Sequence, residues 1–388
     1  MLVIFSLAGF LEVASYGQLS AFTPLYLPRI GVAAADVAFW VGVITSLANL
    51  FGLPFLPFWG ALADRYGRKP LIIRSFIAAF FALGITAVAP NIAVFTIARG
   101  FQALALGNTG LILATLADHA PAARVAFAFG VVNGANPFGA FVGPLVGGPI
   151  VDRFGFPWLV AVDATLMAFV VVLLTFGYRD GFVPRTTGEP LLRMALDGVA
   201  MVIRSPRLRA LFPALFLLFG GWILAFIYVP LVVARLYAGA DLATVVGVVL
   251  GGGGLVTIAA SPGIGALADR FGHWRVLIAG GAVLVLVWLL PFFTRDLVVF
   301  AILWAVANGL SSGVFSVSFN VIAGSASETA RGRVMSFAYA PANMSFVVGP
   351  LIGSVLAPID VFLVFPAAAV LTAVGLAATA YARTRPPI

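Results

Sequence analysis

The stretch Gly60-Ala-Leu-Ala-Asp64-Arg65-Tyr66-Gly67 recurs 205 residues later as Gly265-Ala-Leu-Ala-Asp269-Arg270-Phe271-Gly272. A second match lies at nearly the same offset, because Gly143-Pro-Leu-Val-Gly147 returns 206 residues later as Gly349-Pro-Leu-Ile-Gly353. Matches at one common spacing indicate an internal duplication. We therefore expect two similar halves that run in the same orientation.

The composition of the chain is that of a membrane protein. Of its 388 residues, 62% are hydrophobic and only 9% are charged, whereas an average soluble domain is about a quarter charged. So few charges do not cover the surface of a soluble protein of this size. The composition excludes an ordinary soluble enzyme and a disordered chain, and we expect a protein that spans the lipid bilayer and is not an enzyme.

Twelve stretches are long and apolar enough to cross the hydrocarbon core, which takes roughly 20 residues per helix. Their continuous apolar character favours helices over the alternating strands of a membrane barrel. The predicted spans are Leu2–Leu27, Phe39–Leu62, Leu71–Ala89, Ile92–Ala117, Val125–Ile150, Trp158–Phe176, Leu211–Ala234, Thr244–Ala268, Val276–Phe293, Leu297–Ala323, Val334–Ala357 and Val361–Ala380. The predicted fold class is an all-α membrane protein with two six-helix repeats. We expect an N-terminal bundle over residues 1–178, a polar cytoplasmic linker over 179–209 and a C-terminal bundle over 210–388.

Basic residues determine the predicted orientation. With the N-terminus in the cytoplasm, the cytoplasmic loops and tail hold 17 of the 22 Lys and Arg residues, and the outer loops hold four. This imbalance is a strong positive-inside signal, so the net charge of +8 reflects topology and not nucleic-acid binding. We expect a multi-pass protein of the cytoplasmic (plasma) membrane with both termini in the cytoplasm. The first span lacks a basic segment before it, so we expect it to be retained.

Residue types that bind metals and cofactors are scarce. The chain has no cysteine, and its two histidines, His119 and His273, stand far apart. A thiolate nucleophile and a Cys-ligated metal are therefore excluded, and we expect no metal and no cofactor. The glycine run from Gly251 to Gly254 lacks the Lys-Ser/Thr of a phosphate loop, which argues against an ATP-driven pump.

The loop between the second and third predicted spans resembles the signature loop of the major facilitator superfamily. The matching residues are Gly60, Asp64, Arg65, Gly67, Arg68 and Lys69. In the second copy, His273 and Trp274 replace the basic pair. The resemblance implies a twelve-helix transporter that works by alternating access, with this loop as a latch between the halves on the cytoplasmic side. From the residues alone, a basic turn that serves only as a topology signal is the alternative.

A motif in the fifth predicted span looks like the signature of the drug:proton antiporter branch of that family. Its residues are Gly139, Gly143, Pro144, Gly147 and Gly148. Small residues at intervals of four form a flat stripe for close helix packing, and a proline permits a kink. The resemblance implies efflux. Generic packing is the alternative, because the pattern returns in the eleventh span.

Three charged residues lie well inside predicted spans, namely Glu12, Arg99 and Asp163. A charge in the hydrocarbon core is costly, so each is a candidate for proton coupling. At about 1.5 Å of rise per residue, the three would share one layer near the midplane. The fourth span also resembles a family motif in which arginine is followed three residues later by glutamine, here Arg99 and Gln102, although Ala103 stands where glycine is usual.

We predict that Glu12 carries the proton. Arg99, by approaching or leaving Glu12, would change the proton affinity of the carboxyl between conformational states. The alternative is a buried Glu12–Arg99 pair that only stabilises packing. For Asp163 we favour a structural hydrogen bond over a coupling role.

Polar and aromatic residues on the presumed cavity helices are candidates for substrate contact: Tyr16, Gln18, Gln102, Asn136, Trp222, Tyr228, Asn308 and Asn343. We predict a monomeric, proton-coupled antiporter that exports a small lipophilic compound, as in multidrug resistance. The expected partners are a small-molecule substrate, protons and the lipid bilayer, without nucleic acid. One alternative is an uptake permease or facilitator for a sugar or other small metabolite, which would need a more polar cavity. Another is a non-transporting membrane receptor or scaffold, for which the duplicated latch and bending helix have little use.

Overall fold

A computed structural model of the chain describes residues 1–55, 59, 62–63, 65–105, 107–119, 125–178, 202–326 and 328–386. Within these residues the regular secondary structure is helical, without a β-strand. The α-helices are α1 Leu2–Tyr26, α2 Val37–Gly52, α3 Arg68–Ala87, α4 Ile92–Gln102, α5 Asn108–His119, α6 Val125–Phe154, α7 Phe156–Gly177, α8 Pro206–Leu236, α9 Leu242–Phe271, α10 His273–Phe293, α11 Leu297–Ala323, α12 Glu328–Leu356 and α13 Val364–Arg383. The prediction of an all-α membrane fold is confirmed.

Ten helices within the described ranges are long and apolar enough to cross a membrane, judged by length and composition. They correspond to the first three and the last seven predicted spans. The fifth predicted span coincides with α6, which runs over 30 residues. Long apolar helices suit the bilayer because they satisfy their own backbone hydrogen bonds where no water is available.

The fourth predicted span, Ile92–Ala117, is not one continuous helix. It divides into α4, a 3₁₀ turn at Ala103–Ala105 and α5. Just before α5, Gly107 has a φ of +95°, a left-handed conformation that glycine adopts without steric cost. A Cβ at Gly107 would also lie 2.9 Å from Cδ1 of Trp59. The break therefore depends on this glycine, and it turns the start of α5 in a direction that a continuous helix would not give.

The described residues fall into two compact units. Unit 1 lies within the ranges Met1–Val37, Leu47–Leu191 and Gly239–Gly251, and unit 2 within Ala38–Ser46, Leu192–Ala238 and Gly252–Ile388. Unit 1 thus includes the first part of α9, and unit 2 includes the first part of α2. In unit 1, α1 packs along α6 and α3 packs along α7; in unit 2, α8 packs against α12 and α13. The domain limits expected from the repeat stay a prediction.

In unit 1, the glycines of the fifth-span motif allow α6 to approach α1 closely. Gly139 and Gly143 lie against the backbone of Phe10 and Ala14, and a Cβ at either glycine would lie 2.5 Å from a main-chain oxygen of α1. Gly147 continues the contact along the same helix. The small-residue stripe therefore serves helix packing, as the spacing of four residues predicts.

The duplication is also visible in two matching contacts. In unit 1, Gly247 of α9 lies against the main-chain oxygen of Pro144 in α6. In unit 2, Gly42 of α2 lies in the same way against the main-chain oxygen of Pro350 in α12. The two glycines are 205 residues apart and the two prolines 206, which are the offsets of the sequence repeat. The duplication thus gives two equivalent glycine-to-proline contacts, each formed by a glycine from one half of the sequence and a proline from the other.

A carboxylate reinforces the unit 1 contact. Asp152 accepts hydrogen bonds from the backbone nitrogens of Ala243 at 3.0 Å and Thr244 at 2.8 Å, and from Thr244 Oγ1 at 2.6 Å. The first N–H groups of a helix have no partner within it, and a negative charge there is favourable. In unit 2 the matching contact has a neutral hydrogen bond, from Tyr228 Oη to the carbonyl oxygen of Pro350 at 3.0 Å.

Replacing Gly247 with alanine should destabilise the protein, because the methyl group would overlap the Pro144 carbonyl and push α9 away from α6. Overpacking of this kind costs about 1–3 kcal/mol. Gly252→Ala is the matched control, since Gly252 lies on the same helix with open space at its Cβ position and alanine favours helix over glycine. Thermal unfolding in detergent should give a lower Tm for Gly247→Ala and an unchanged or higher Tm for Gly252→Ala. Equal melting of the two variants would contradict the contact.

Candidate functional site

Glu12 lies within α1 and is only 7% exposed. Both of its carboxyl oxygens accept hydrogen bonds from the side-chain amide nitrogen of Asn108, at 2.8 and 2.7 Å. A buried anion is costly without a charged partner, whereas a neutral carboxyl is tolerated when it is hydrogen-bonded. The hydrogen-bond partner of Glu12 in this structure is therefore an uncharged amide and not a cation.

Asn108 is a residue that sequence reasoning missed. It is the first residue of α5, so the helix break at Gly107 is what brings its amide to Glu12. The prediction of one continuous fourth span concealed this geometry. A signal was present in the pair Gly107-Asn108, because both residue types favour turns and stand together inside an apolar stretch.

Arg99 is buried in the last turn of α4. One of its terminal nitrogens donates to Oε1 of Gln102, which the three-residue spacing places on the same helix face. Within the described residues, the Arg99 guanidinium is hydrogen-bonded to Gln102 and not to Glu12. Glu12 is hydrogen-bonded to Asn108. Tyr16, four residues after Glu12 on α1, lies close enough to both Glu12 and Arg99 to interact with their charges. Glu12 and Arg99 thus lie near each other but do not form the direct pair that the packing alternative requires.

Asp163 of α7 belongs to the same unit and is 2% exposed. Its polar neighbour is Ser15 of α1, and its Oδ2 has no hydrogen-bond partner within the described ranges. Within the described ranges, Gln18 Oε1 and Arg99 Nε are further buried polar atoms without a hydrogen-bond partner. An unpaired buried polar atom costs about 1–3 kcal/mol and is therefore rare in a packing core. These buried polar groups belong to unit 1, which also contains Glu12.

A cluster of aromatic rings lies in unit 2. Phe219, Trp222 and Phe226 are spaced by three and four residues and so share one face of α8. Trp222 stacks on Phe226 with ring centroids 5.2 Å apart, and it meets Phe315 of α11 and Phe346 of α12 edge-on at 5.9 and 6.4 Å. Phe219 stacks on Phe315 at 4.0 Å. We call these five residues the aromatic cluster.

The structure places the predicted substrate residues differently from one another. Trp222 belongs to the aromatic cluster and donates from Nε1 to Oδ1 of Asn308 at 2.8 Å. Tyr228 is fully buried against Gly353, and this position serves packing. Asn343 is half-buried on α12. The side chain of Asn136 lies outside the described residues.

The signature loop is described in part. Gly60 and Asp64 lie outside the described residues, whereas Arg65, Gly67, Arg68 and Lys69 lie inside them. Gly67 has a φ of +94° and its counterpart Gly272 a φ of +93°, so the same left-handed turn begins α3 and α10. In the second copy, Oδ1 of Asp269 lies 3.4 Å from Nε2 of His273.

Lys69 has a local role at the end of α7. Its Nζ donates to the carbonyl oxygen of Thr175 at 2.8 Å and to that of Tyr178. Terminal carbonyls have no partner within their helix, and a positive charge beside them is favourable. In unit 2, Arg207 donates from Nε to the carbonyl oxygen of Arg385 at 2.7 Å, and this oxygen lies just beyond the end of α13. The latch role of the loop stays a prediction.

The chemistry available in these units is proton exchange and apolar binding. Unit 1 supplies the carboxyl groups of Glu12 and Asp163 with polar neighbours, and unit 2 supplies aromatic surface. In the part of the chain that the structure describes, no group of three or more His, Cys, Asp or Glu residues is arranged to hold a metal ion.

Comparison with known sequences gives a family match over the whole chain. The family model described as the Major Facilitator Superfamily matches residues 5–257 and 235–388. The multidrug resistance protein MdtG of Salmonella paratyphi A is 27% identical over 352 residues, which cover 90% of this chain and 86% of that protein.

Two solved structures share the fold. A bacterial homolog of the human lysosomal transporter Spinster, inward-facing and unoccupied, has a TM-score of 0.79 at 14% identity over 98% of this chain and 96% of its own. The nucleoside transporter NupG has a TM-score of 0.79 at 13% identity over 99% of both chains. At these identities the likeness concerns the fold alone, and it is the fold that the repeat and the signature loop predict.

A double-mutant cycle should detect the Glu12–Asn108 interaction. Asn108→Ala alone leaves a buried carboxyl unpaired, whereas Asn108→Ala in a Glu12→Ala background removes an amide that has already lost its partner. We expect a coupling of about 1–3 kcal/mol between the two positions, measured as the difference in free energy of unfolding in detergent. Additive effects of the two substitutions would show that the amide and the carboxyl do not interact.

Proposed function

Because this chain belongs to the Major Facilitator Superfamily, whose members are transporters, we propose that it is a proton-coupled antiporter that exports small lipophilic compounds by alternating access. The observation that carries the proposal is the buried carboxyl of Glu12, held by a neutral amide. Acidic residues inside membrane helices commonly serve proton pathways. The names of the multidrug resistance relatives support export, and so does the resemblance of the Gly139–Gly148 motif to the antiporter signature.

In the proposed cycle, Glu12 binds one proton from the outside and releases it to the cytoplasm. An O–H bond forms at the carboxyl when the proton arrives and breaks when it leaves, and no electron is transferred. The neutral carboxyl is tolerated in a poorly solvated site, whereas the anion needs water or a cation. Proton binding and release therefore favour different surroundings of Glu12, and this difference drives the rocking of the two six-helix halves.

We assign the change in the surroundings of Glu12 to movement of Arg99. In this structure its hydrogen bond goes to Gln102, while Tyr16 lies near both Arg99 and Glu12. Movement of the guanidinium toward Glu12 would stabilise the anion and release the proton. Asp163 and its unpaired Oδ2 lie in the same unit, and we retain the structural hydrogen bond as the favoured role of this carboxyl.

The proposal also covers the setting of the protein. We propose a monomer in the cytoplasmic membrane with both termini inside, since the basic residues are concentrated in the loops assigned to that side. The halves would span residues 1–178 and 210–388, joined by the polar segment 179–209. The signature loop would act as the cytoplasmic latch between them. The substrate would be neutral or cationic, because the acidic group of unit 1 disfavours anions.

Glu12→Gln should abolish uphill transport in proteoliposomes. Glutamine keeps the size of the side chain and resembles the neutral carboxyl in having one accepting oxygen and a donor, but its amide does not take up or release a proton as a carboxyl does. With ethidium as the transported probe and an imposed proton gradient, we expect accumulation to fall to the level of empty liposomes. Asp296→Asn is the control, since Asp296 caps the start of α11 and is exposed there. Uphill transport by Glu12→Gln would refute the proton role.

Arg99→Ala should remove the dependence of transport on the proton gradient, because the cation that is proposed to switch Glu12 would be gone. The measurement is ethidium flux at several imposed gradients in proteoliposomes. Arg74→Ala is the control, because it removes a half-buried arginine from α3 in the same unit. It shows how far the loss of any such arginine affects transport. Intact gradient dependence in Arg99→Ala would exclude Arg99 from the mechanism.

A further inference from the structure

Asn308 holds the indole of Trp222 through a closed hydrogen-bond network. Its Oδ1 accepts from Trp222 Nε1 at 2.8 Å. Its amide nitrogen donates to the carbonyl oxygen of Gly253 at 3.0 Å and to Thr257 Oγ1 at 2.9 Å. Thr257 Oγ1 donates in turn to the Gly253 oxygen at 3.1 Å. An indole has one N–H, an asparagine amide two and a threonine one O–H, so every donor of the three side chains is used.

The glycine run of α9 makes this network possible. A Cβ at Gly253 would lie 2.7 Å from Nε1 of Trp304 and 3.4 Å from the amide nitrogen of Asn308. A larger residue would therefore displace one of the two side chains. The absence of a side chain at Gly253 thus gives the Asn308 amide access to the backbone carbonyl of that residue.

Trp222 lies on a different face of α8 from the contact with α13. The preceding residue, Gly221, lies against Ala368 and Thr372 of α13, where a Cβ would lie 2.8 Å from the nearest atom of each. One step along an α-helix turns the side chain by about 100°, which directs Trp222 toward α11 and α12, where it contacts Asn308, Phe315 and Phe346. The cluster rings on this side remain half-buried, namely Phe219, Trp222, Phe226 and Phe346.

We infer that the aromatic cluster binds the flat face of an aromatic ring system in the substrate, and that Asn308 determines this specificity by positioning Trp222. The inference rests on the proposed function and specifies its substrate class. The half-buried rings of the cluster keep part of their aromatic surface accessible, and the indole N–H is already bonded to Asn308. Such a surface favours stacking and cation–π contacts. It disfavours a sugar, whose hydroxyl groups would lose water without gaining partners.

Asn308 is a positioning residue and not a substrate ligand. Both of its N–H groups donate within the network, and its oxygen accepts from the indole. Without Asn308, the indole N–H has no fixed partner and the ring loses its single orientation. An aromatic ligand, which needs a defined ring geometry, is then bound less well. An aliphatic ligand gains mainly from buried apolar area, so its affinity changes little.

Equilibrium dialysis of the full chain in detergent tests the inference. The probes are ethidium, a flat aromatic cation, and tetrapentylammonium, an aliphatic cation of similar carbon count. We expect the native protein to bind ethidium about 10-fold more tightly than the aliphatic cation. Asn308→Ala should reduce this preference to about 2-fold and leave the tetrapentylammonium Kd nearly unchanged. Trp222→Leu should remove the preference.

The controls separate specificity from folding. Asn320→Ala removes an exposed asparagine on the same helix and should leave the preference intact. In a Trp222→Leu background, Asn308→Ala should have no further effect on the ratio of the two Kd values. Both cations are measured on one preparation, so a partly unfolded sample lowers the number of sites without changing that ratio.

Three outcomes would overturn the inference: equal binding of the two cations by the native protein, equal weakening of both by Asn308→Ala, or displacement of ethidium by D-xylose. The dialysis contains no gradient and so does not depend on proton coupling. Selective binding without gradient-driven export would refute the proposed function and leave this inference standing. Export of ethidium with equal binding of both cations would refute the inference alone.

Discussion

Glu12 lies inside an apolar helix, where the surrounding lipid offers neither water nor counter-ions, and the protein must stabilise its carboxyl by other means. A nearby cation in direct contact would hold it as a permanent anion. The structure instead gives both oxygens to the amide of Asn108, while the guanidinium of Arg99 bonds to Gln102. A carboxyl held by a neutral group remains free to change its protonation. The proposed transport cycle depends on this arrangement.

The backbone around Glu12 is built to permit that contact. Gly107 breaks the fourth span and turns Asn108 toward α1. On another side of α1, Gly139 and Gly143 bring α6 close against the helix backbone. Unit 1 thus holds Glu12, the proposed proton carrier, whereas the aromatic cluster, the proposed substrate surface, lies in unit 2. Proton and substrate would therefore act on different parts of the chain, which is what coupling through a conformational change requires.

Sequence reasoning succeeded where a pattern has one structural solution. Long apolar stretches have to be helices in lipid, and ten of the predicted spans correspond to long apolar helices within the described ranges. It failed where a single backbone torsion decides the geometry. The turn at Gly107 exposed Asn108 to Glu12, and helical spacing does not reveal such a turn. It also did not reveal that Trp222 and Asn308 are hydrogen-bonded to each other, because composition does not show which polar groups are already paired.

The proposed transport cycle requires Glu12 to take up and release a proton within the membrane. Infrared difference spectroscopy of the reconstituted protein observes this directly, because a protonated carboxyl and a carboxylate absorb at separate frequencies. We expect a protonated-carboxyl band that is absent from Glu12→Gln and that gives way to a carboxylate band when the pH is raised. A Glu12 signal that stays in the carboxylate form at every pH would contradict the account.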